Sequence, residues 1–344
     1  MARARACWRR HPRPDARAGD ARGPVLQIDR GWPRRRCPAA GDRGCGSRAA
    51  GGGAVSSVGV APAGALAAPR FKRAATLTVY RWELRKLVSQ KRTYLGLGLA
   101  IILPLIFVMV QSLRQHHDHG DNIFASQITQ SGLATPVLML LFLSVFMLPL
   151  IASLVAGDIV AAEDGNGTLK TILTRSVDRG QVFAAKALAA VTYATIAVFL
   201  SAAVATAAGV AAWGFNRVIT YSGTVVSPSE GLLLVFAANA CYLIPLIAVA
   251  SIGVLLSTVT RNSAAAVVGA VGVTILLFII AQIPGLEGIR PYLLTEQYEA
   301  WHGLLRTPTN WSPVSHSAWV CALYAAPALL AGYLVFLRRD VAGG

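Results

Sequence analysis

From Tyr94 onward the chain alternates long uncharged apolar stretches with short polar ones, the stretches running approximately from Tyr94 to Leu113, Val137 to Gly157, Leu188 to Ala212, Gly231 to Thr258, Ala264 to Ile283 and Ser317 to Leu337. An α-helix needs about 20 apolar residues to cross the hydrocarbon core of a bilayer, and each stretch is near that length. The pattern predicts an all-α, polytopic membrane protein with six transmembrane helices over residues 94–340. Pro104, Pro149, Pro245 and Pro327 fall inside the stretches and are expected to kink them. Ala, Gly and Ser crowd the third and fifth stretches, as close-packing residues do.

Ahead of the first stretch, residues 70–93 have a different period. Leu77, Tyr80, Leu84, Leu87 and Val88 follow 3.6-residue spacing and would form one apolar stripe on a helix, with Arg81, Glu83, Arg85, Lys86 and Arg92 on the other side. Such an amphipathic helix is expected to lie flat on the inner leaflet. Trp82 falls among the charges, as a headgroup anchor or a protein contact would. A positively charged flank alone accounts for the charges but not for the stripe.

Composition sharpens this picture. Apolar residues make up 54% of the chain and charged residues 14%, with a mean hydropathy of +0.53. A soluble domain carries about 25% charged residues, so a water-soluble globular protein is excluded. The net charge of +16 is unevenly placed. Residues 1–69 hold 13 of the 32 basic residues, all Arg, together with four acids and the cysteines Cys7, Cys37 and Cys45 at no metal-ligand spacing. This Arg/Ala/Gly/Pro-rich leader is expected to be disordered. It also has the composition of translated GC-rich DNA upstream of a start codon near Val55, Val58 or Val60. An RNA- or lipid-binding arm has only Trp8 and Trp32 for stacking, and Ala65-Leu66-Ala67 imitates a signal cleavage site without an apolar core before it.

The charges after the leader give an orientation. Fifteen Lys and Arg flank the even-numbered side of the six stretches, among them Arg85, Lys86, Arg179, Lys186, Arg261 and Arg338, against four (Arg114, Arg217, Arg290, Arg306) on the other. By the positive-inside rule both termini are cytoplasmic. The six stretches contain no Asp, Glu, Lys, Arg or His. Ion-coupled carriers keep such groups at membrane depth despite their cost, so energy for transport should come from elsewhere.

Catalytic patterns are weak. Gly165-Asn166-Gly167-Thr168-Leu169-Lys170-Thr171 has a Lys-Thr pair, but its spacing is not that of a phosphate-binding loop, and no HExxH or GxSxG occurs. The chain is therefore expected not to be an enzyme and to bind no cofactor, with ATP and Mg held by another chain. An intramembrane enzyme would have only Asn239, Gln282 and scattered hydroxyls to use. His116, His117, Asp118, His119 and Asp121 could touch a metal but fit a solvated polar turn better, so no metal site is assigned. Cys241 and Cys321 lie within stretches and are expected to serve packing.

The loop between the second and third stretches is the most specific part of the sequence. It contains Glu163-Asp164-Gly165-Asn166-Gly167-Thr168-Leu169-Lys170, then Leu173, Arg175-Ser176-Val177-Asp178-Arg179 and Lys186. Asn166 or Thr168 can cap a short helix through Leu173, with Leu169, Ile172 and Leu173 on one side and Lys170 and Arg175 on the other. An acidic residue followed by Gly-Thr-Leu-Lys, a Leu four residues after that Leu, a small residue with Val and Arg, and a later Lys resembles the cytoplasmic loop of bacterial ABC-2 type transporter permeases. The resemblance covers roughly residues 75 to 340, including Trp82-Glu83-Leu84-Arg85-Lys86. It departs at Ser176-Val177, where many relatives have Pro-Val, and in the long leader.

The resemblance implies a permease subunit of an ATP-binding cassette transporter in the bacterial inner membrane, multi-pass, paired with a second permease copy as a homodimer or heterodimer and with two cytoplasmic ABC ATPase subunits. It implies export of a hydrophobic compound, peptide antibiotic, lipid or ion, with nucleic acid excluded as a partner. The loop helix would be the coupling helix that fits a groove on the ATPase, which makes Glu163, Thr168, Leu169, Leu173 and Arg179 the candidates for that interface, with Trp82, Glu83, Arg85 and Lys86 on the interfacial helix. Between the last two stretches, Leu294, Tyr298, Trp301 and Leu305 stand at i, i+4, i+7 and i+11, the spacing of a helix at the outer interface. In relatives this region closes the translocation path, so Tyr298 and Trp301 are candidates for an outer gate. The competing class is a membrane anchor or assembly protein that transports nothing.

Overall fold

The computed structural model describes residues 76–115, 131–168, 178–219 and 222–338. The leader and the His116–Asp121 cluster lie outside them. The helices are α1 (Thr76–Val88), α2 (Lys91–Gln115), α3 (Ala134–Leu143), α4 (Met147–Ala156), α5 (Ala161–Gly165), α6 (Arg179–Trp213), α7 (Pro228–Thr260), α8 (Ser263–Ala281) and α9 (Ser312–Arg338). Two 3-10 helices, Arg290–Tyr292 and Glu296–Leu305, lie between α8 and α9. Among the described residues five helices, α2, α6, α7, α8 and α9, are long and apolar enough to cross a membrane. The chain is an all-α, multi-pass membrane protein. A two-stranded antiparallel hairpin, β1 (Val218–Ile219) with β2 (Val225–Val226), is a small addition that hydropathy did not signal.

Local chemistry sets the helix ends. Ser227 and Glu230 form a reciprocal capping box at the start of α7, with Pro228 in the first turn, where its missing N–H costs nothing. At the far end Arg261 turns left-handed at φ 54°, and the Asn262 side chain accepts hydrogen bonds from the N–H groups of Ala264 and Ala265 at 3.0 and 3.3 Å. A two-residue turn thereby joins α7 to α8. The 35-residue α6 starts nine residues before the apolar stretch predicted at Leu188. At 1.5 Å per residue it is about 52 Å long against about 30 Å of hydrocarbon, so its polar first turns project beyond the core.

The second predicted stretch is divided. α3 and α4 are bent by 64° at residues 144–146. Pro149 supplies the reason: it has no N–H to bond Val145, and its ring crowds that carbonyl. The Tyr242 hydroxyl of α7 donates to the Ser144 carbonyl at 2.8 Å and so satisfies an acceptor exposed at the break. Pro104, Pro245 and Pro327 lie inside helices that run on past them.

Helices α6 and α7 form the centre, α6 packing on α1, α2, α3, α4 and α7, and α7 most extensively on α9. One apolar core gathers Leu148, Val198, Leu246 and Tyr242 with Tyr298 and Trp301; a second gathers Val155, Phe183, Tyr193 and Phe336 with Leu87 of α1. Where α3 begins, Gly132 lies directly against the backbone of Gly209 on α6, close enough that a Cβ on Gly132 would sit 2.2 Å from the Gly209 oxygen.

Candidate functional site

The site is built at the end of the bundle where α1, α5 and the first turns of α6 meet. α1 turns most of the predicted stripe inward, rotated so that Glu83 is buried with it. Glu83 and Leu87 are its buried residues, flanked by Val79, Tyr80 and Leu84, whereas Leu77 and Val88 are exposed. The stripe from Tyr80 to Leu87 is therefore spent on α6 and its neighbours rather than on lipid, and the Tyr80 hydroxyl lies 2.7 Å from that of Thr192. Trp82, at 61% exposure, and Arg85 point away from the bundle, on the side available to headgroups or a partner.

Glu83 is buried because it has a partner. Lys186 on α6 is completely buried, with Nζ 3.0 Å from Glu83 Oε1 and 2.7 Å from Glu163 Oε1, and it donates to the Ile159 carbonyl at 3.2 Å. Lys86 reaches the same Glu163 carboxylate from the solvent side. Two lysines and two carboxylates make the cluster neutral. A buried charge is tolerated only when paired and hydrogen-bonded, so each group fixes the position of the others. α1, α5 and α6 are thereby locked at one point, although α1 lies far before the other two in sequence, 77 residues separating Lys86 from Glu163.

A second set of polar contacts surrounds the first. Asp158, buried, binds Arg92 of α2 and accepts from the Ser263 hydroxyl at the start of α8. Ser257 of α7 accepts from the N–H groups of Val160 and Ala161 at 3.1 and 2.9 Å, satisfying donors at the start of α5 that have no partner within that helix. Asp164 faces Arg261 of the α7–α8 turn at 3.7 Å. The segment 158–164 is held from four sides.

The predicted interface residues divide accordingly. Glu163 is 2% exposed, so its carboxylate faces the lysines and not a surface partner. Thr168 is exposed and donates its hydroxyl to the Glu163 carbonyl at 3.3 Å, closing α5 behind it. Arg179 begins α6 and donates to the Leu337 carbonyl at the end of α9 at 2.8 Å, fastening the far side of the loop. Leu169 and Leu173, with the rest of the predicted short helix, lie outside the described residues. In the sequence Lys186 is a flanking charge and the last Lys of the loop pattern; its burial between two carboxylates is what the structure adds. It stands two residues before the third apolar stretch, but nothing in the sequence marks Glu83, which helical spacing puts on the polar side of α1, as its partner.

At the opposite end of the bundle the two gate candidates are together, but inside. The segment Glu296–Leu305 is a 3-10 helix, whose three-residue period aligns Thr295, Tyr298, Trp301 and Leu304 on one buried face, with Leu294 and Leu305 beside them. This corrects the expected position at the outer interface: the aromatic rings fill the core against Tyr242, whose ring centroid is 5.8 Å from that of Tyr298. The Tyr298 hydroxyl and Trp301 Nε1 have no hydrogen-bond partner among the described residues. Burial raises the pKa of Tyr298, so its hydroxyl stays a neutral donor. Cys241 and Cys321 are free and buried, as packing residues should be.

No curated protein matches the chain. A family described as "Protein of unknown function (DUF2705)" matches residues 99–342, a stretch that holds Asp158, Glu163 and Lys186 but begins after α1. The chain belongs to this DUF2705 family.

Proposed function

We propose that the protein is the permease subunit of an ABC-2 type transporter, in which a cytoplasmic ATPase docks on the loop between α5 and α6 and drives export of a hydrophobic compound, peptide antibiotic, lipid or ion. The observation that carries this reading is the clamping of that loop at both ends. Glu163 is held by Lys86 and Lys186, and Arg179 is held by the end of α9. A push on a loop so fastened moves α1, α6 and α9 together instead of being absorbed locally.

In this account α3 and α4 count as one broken span, which makes six, and both termini are cytoplasmic in a bacterial inner membrane. Glu163 acts as an internal strut, while Thr168, Leu169 and Leu173 present the surface to the partner. ATP and Mg belong to the ATPase, and a second permease copy completes the path. Closure of the ATPase pair would shift the assembly between two arrangements. Tyr298 and Trp301 would gate the outer end, their unpartnered donors finding acceptors when the core opens.

The experiment is reconstitution in proteoliposomes with an ABC ATPase that co-purifies with the protein from its native membranes, comparing ATP hydrolysis by the ATPase alone, by the complex and by the complex with Glu163→Gln. The permease should change the hydrolysis rate, and the strut variant should bind the ATPase yet respond about tenfold less, as loss of an interaction made in only one state would. Equal rates for all three preparations would refute the coupling role.

A further inference from the structure

At the end of the bundle remote from the charge cluster, a narrow cleft opens between the start of α3, the start of α7, the β1–β2 hairpin and the end of the 3-10 helix. It measures about 540 Å³ including its open mouth, and its ten lining residues, among them Leu133, Val137, Val218, Leu234 and Leu305, include no polar side chain. Most of that figure is open mouth, so the cleft is a shallow apolar groove, without the polar groups that orient a ligand in small-molecule sites. Here the polar groups stand at the rim. Arg217 precedes the lining residue Val218, Arg306 follows the lining residue Leu305, and both are exposed.

The two arginines flank residues that line the same cleft, Val218 and Leu305, and the hairpin is bonded to the segment leaving the 3-10 helix: the Thr307 N–H donates to the Ser222 hydroxyl at 2.7 Å, and the Thr224 and Thr307 hydroxyls lie 3.0 Å apart. Unlike Arg290, which is paired with Glu296, neither Arg217 nor Arg306 makes an ion pair among the described residues. The nearest carboxylate in sequence, Glu230, is committed to the cap of α7. Phe215, Ile219 and Val225 on and beside the hairpin are exposed apolar residues. Exposed apolar side chains beside basic ones suit a surface where hydrocarbon meets headgroups.

We infer that this cleft binds an anionic phospholipid of the adjoining leaflet, one acyl chain lying between α3 and α7 and the phosphate on Arg217 and Arg306. A slender chain fits a narrow apolar slot that a bulky ring system would not enter. Two basic groups beside a membrane surface select an anionic headgroup over a zwitterionic one. The site depends on the chain being a membrane protein and not on any ATPase partner.

Native mass spectrometry of the detergent-purified protein with equal amounts of dioleoyl phosphatidylglycerol and dioleoyl phosphatidylcholine tests it. The wild type should retain phosphatidylglycerol about tenfold over phosphatidylcholine. Arg217→Ala/Arg306→Ala should bring the two lipids near parity, whereas Arg290→Ala should not. Leu234→Trp, and separately Val137→Phe, should reduce retention of both lipids by filling the slot; two cleft-filling variants guard against one that fails to fold. Equal retention of the lipids by the wild type would overturn the inference. So would unchanged retention in folded cleft-filling variants, which would mean that only surface charge attracts the lipid.

Discussion

Lys186 is the side chain whose removal should matter most. Removing one partner of a buried pair leaves an uncompensated charge and costs about 3–5 kcal/mol, so Lys186→Met should lower the melting temperature of the detergent-solubilised protein sharply. Glu83→Gln in the same chain should recover part of that loss, because it removes a charge left unpaired. A double variant as unstable as the sum of the singles would contradict the direct coupling of the two groups. A second residue-level prediction concerns pH. Burial lowers the pKa of His302 below 6.5, while Glu299 partly offsets this and Arg306 adds to it. The folded state thus favours neutral imidazole, and its contribution is full above pH 6.5 and declines as pH falls below it. Melting curves from pH 7 to 5 should fall less steeply for His302→Gln than for the wild type, and parallel curves would exclude the histidine. The positions of Glu83 and Lys186 were hard to read from sequence for a physical reason. Helical spacing assigns a charged residue to the polar face by default, and a partner about a hundred positions downstream leaves no local trace.

At the scale of elements, the apolar lengths were legible because hydrocarbon thickness imposes them. α2, α6, α7, α8 and α9 lie where uncharged runs predicted helices. The break between α3 and α4 was less legible: Pro149 marked a disturbance, but its 64° size depends on what packs around Ser144. The 3-10 conformation of Glu296–Leu305 was hidden for a similar reason, since the i, i+4, i+7 spacing of its large residues also fits an α-helix. Close helix approach is testable here. A Cβ on Gly209 would lie 2.5 Å from the Gly132 oxygen, whereas one on Gly272 meets nothing. Gly209→Ala should cost about 1–3 kcal/mol, as overpacking does, and Gly272→Ala should be neutral or slightly stabilising. Thermal melts of the two single variants would check this, and equal effects would show that the α3–α6 contact yields easily.

At the scale of the whole molecule, the two ends of the bundle differ in kind. One carries the neutral cluster Glu83, Lys86, Glu163 and Lys186; the other carries buried aromatics whose donors have no partner among the described residues, and an apolar cleft. That asymmetry suits a device that receives force at one end and opens at the other, which is the proposed division of labour. It rests on a partner meeting the loop between α5 and α6. The most direct measurement is pull-down of the tagged protein from its native membranes and identification of any co-purifying ABC ATPase, comparing wild type with Leu169→Asp/Leu173→Asp. The wild type should bring an ABC ATPase with it, and the double variant, present in the membrane at the same level, should lose it. If no ATPase associates, or the variant retains it equally well, the loop is not the docking surface and a membrane anchor that transports nothing becomes the better description.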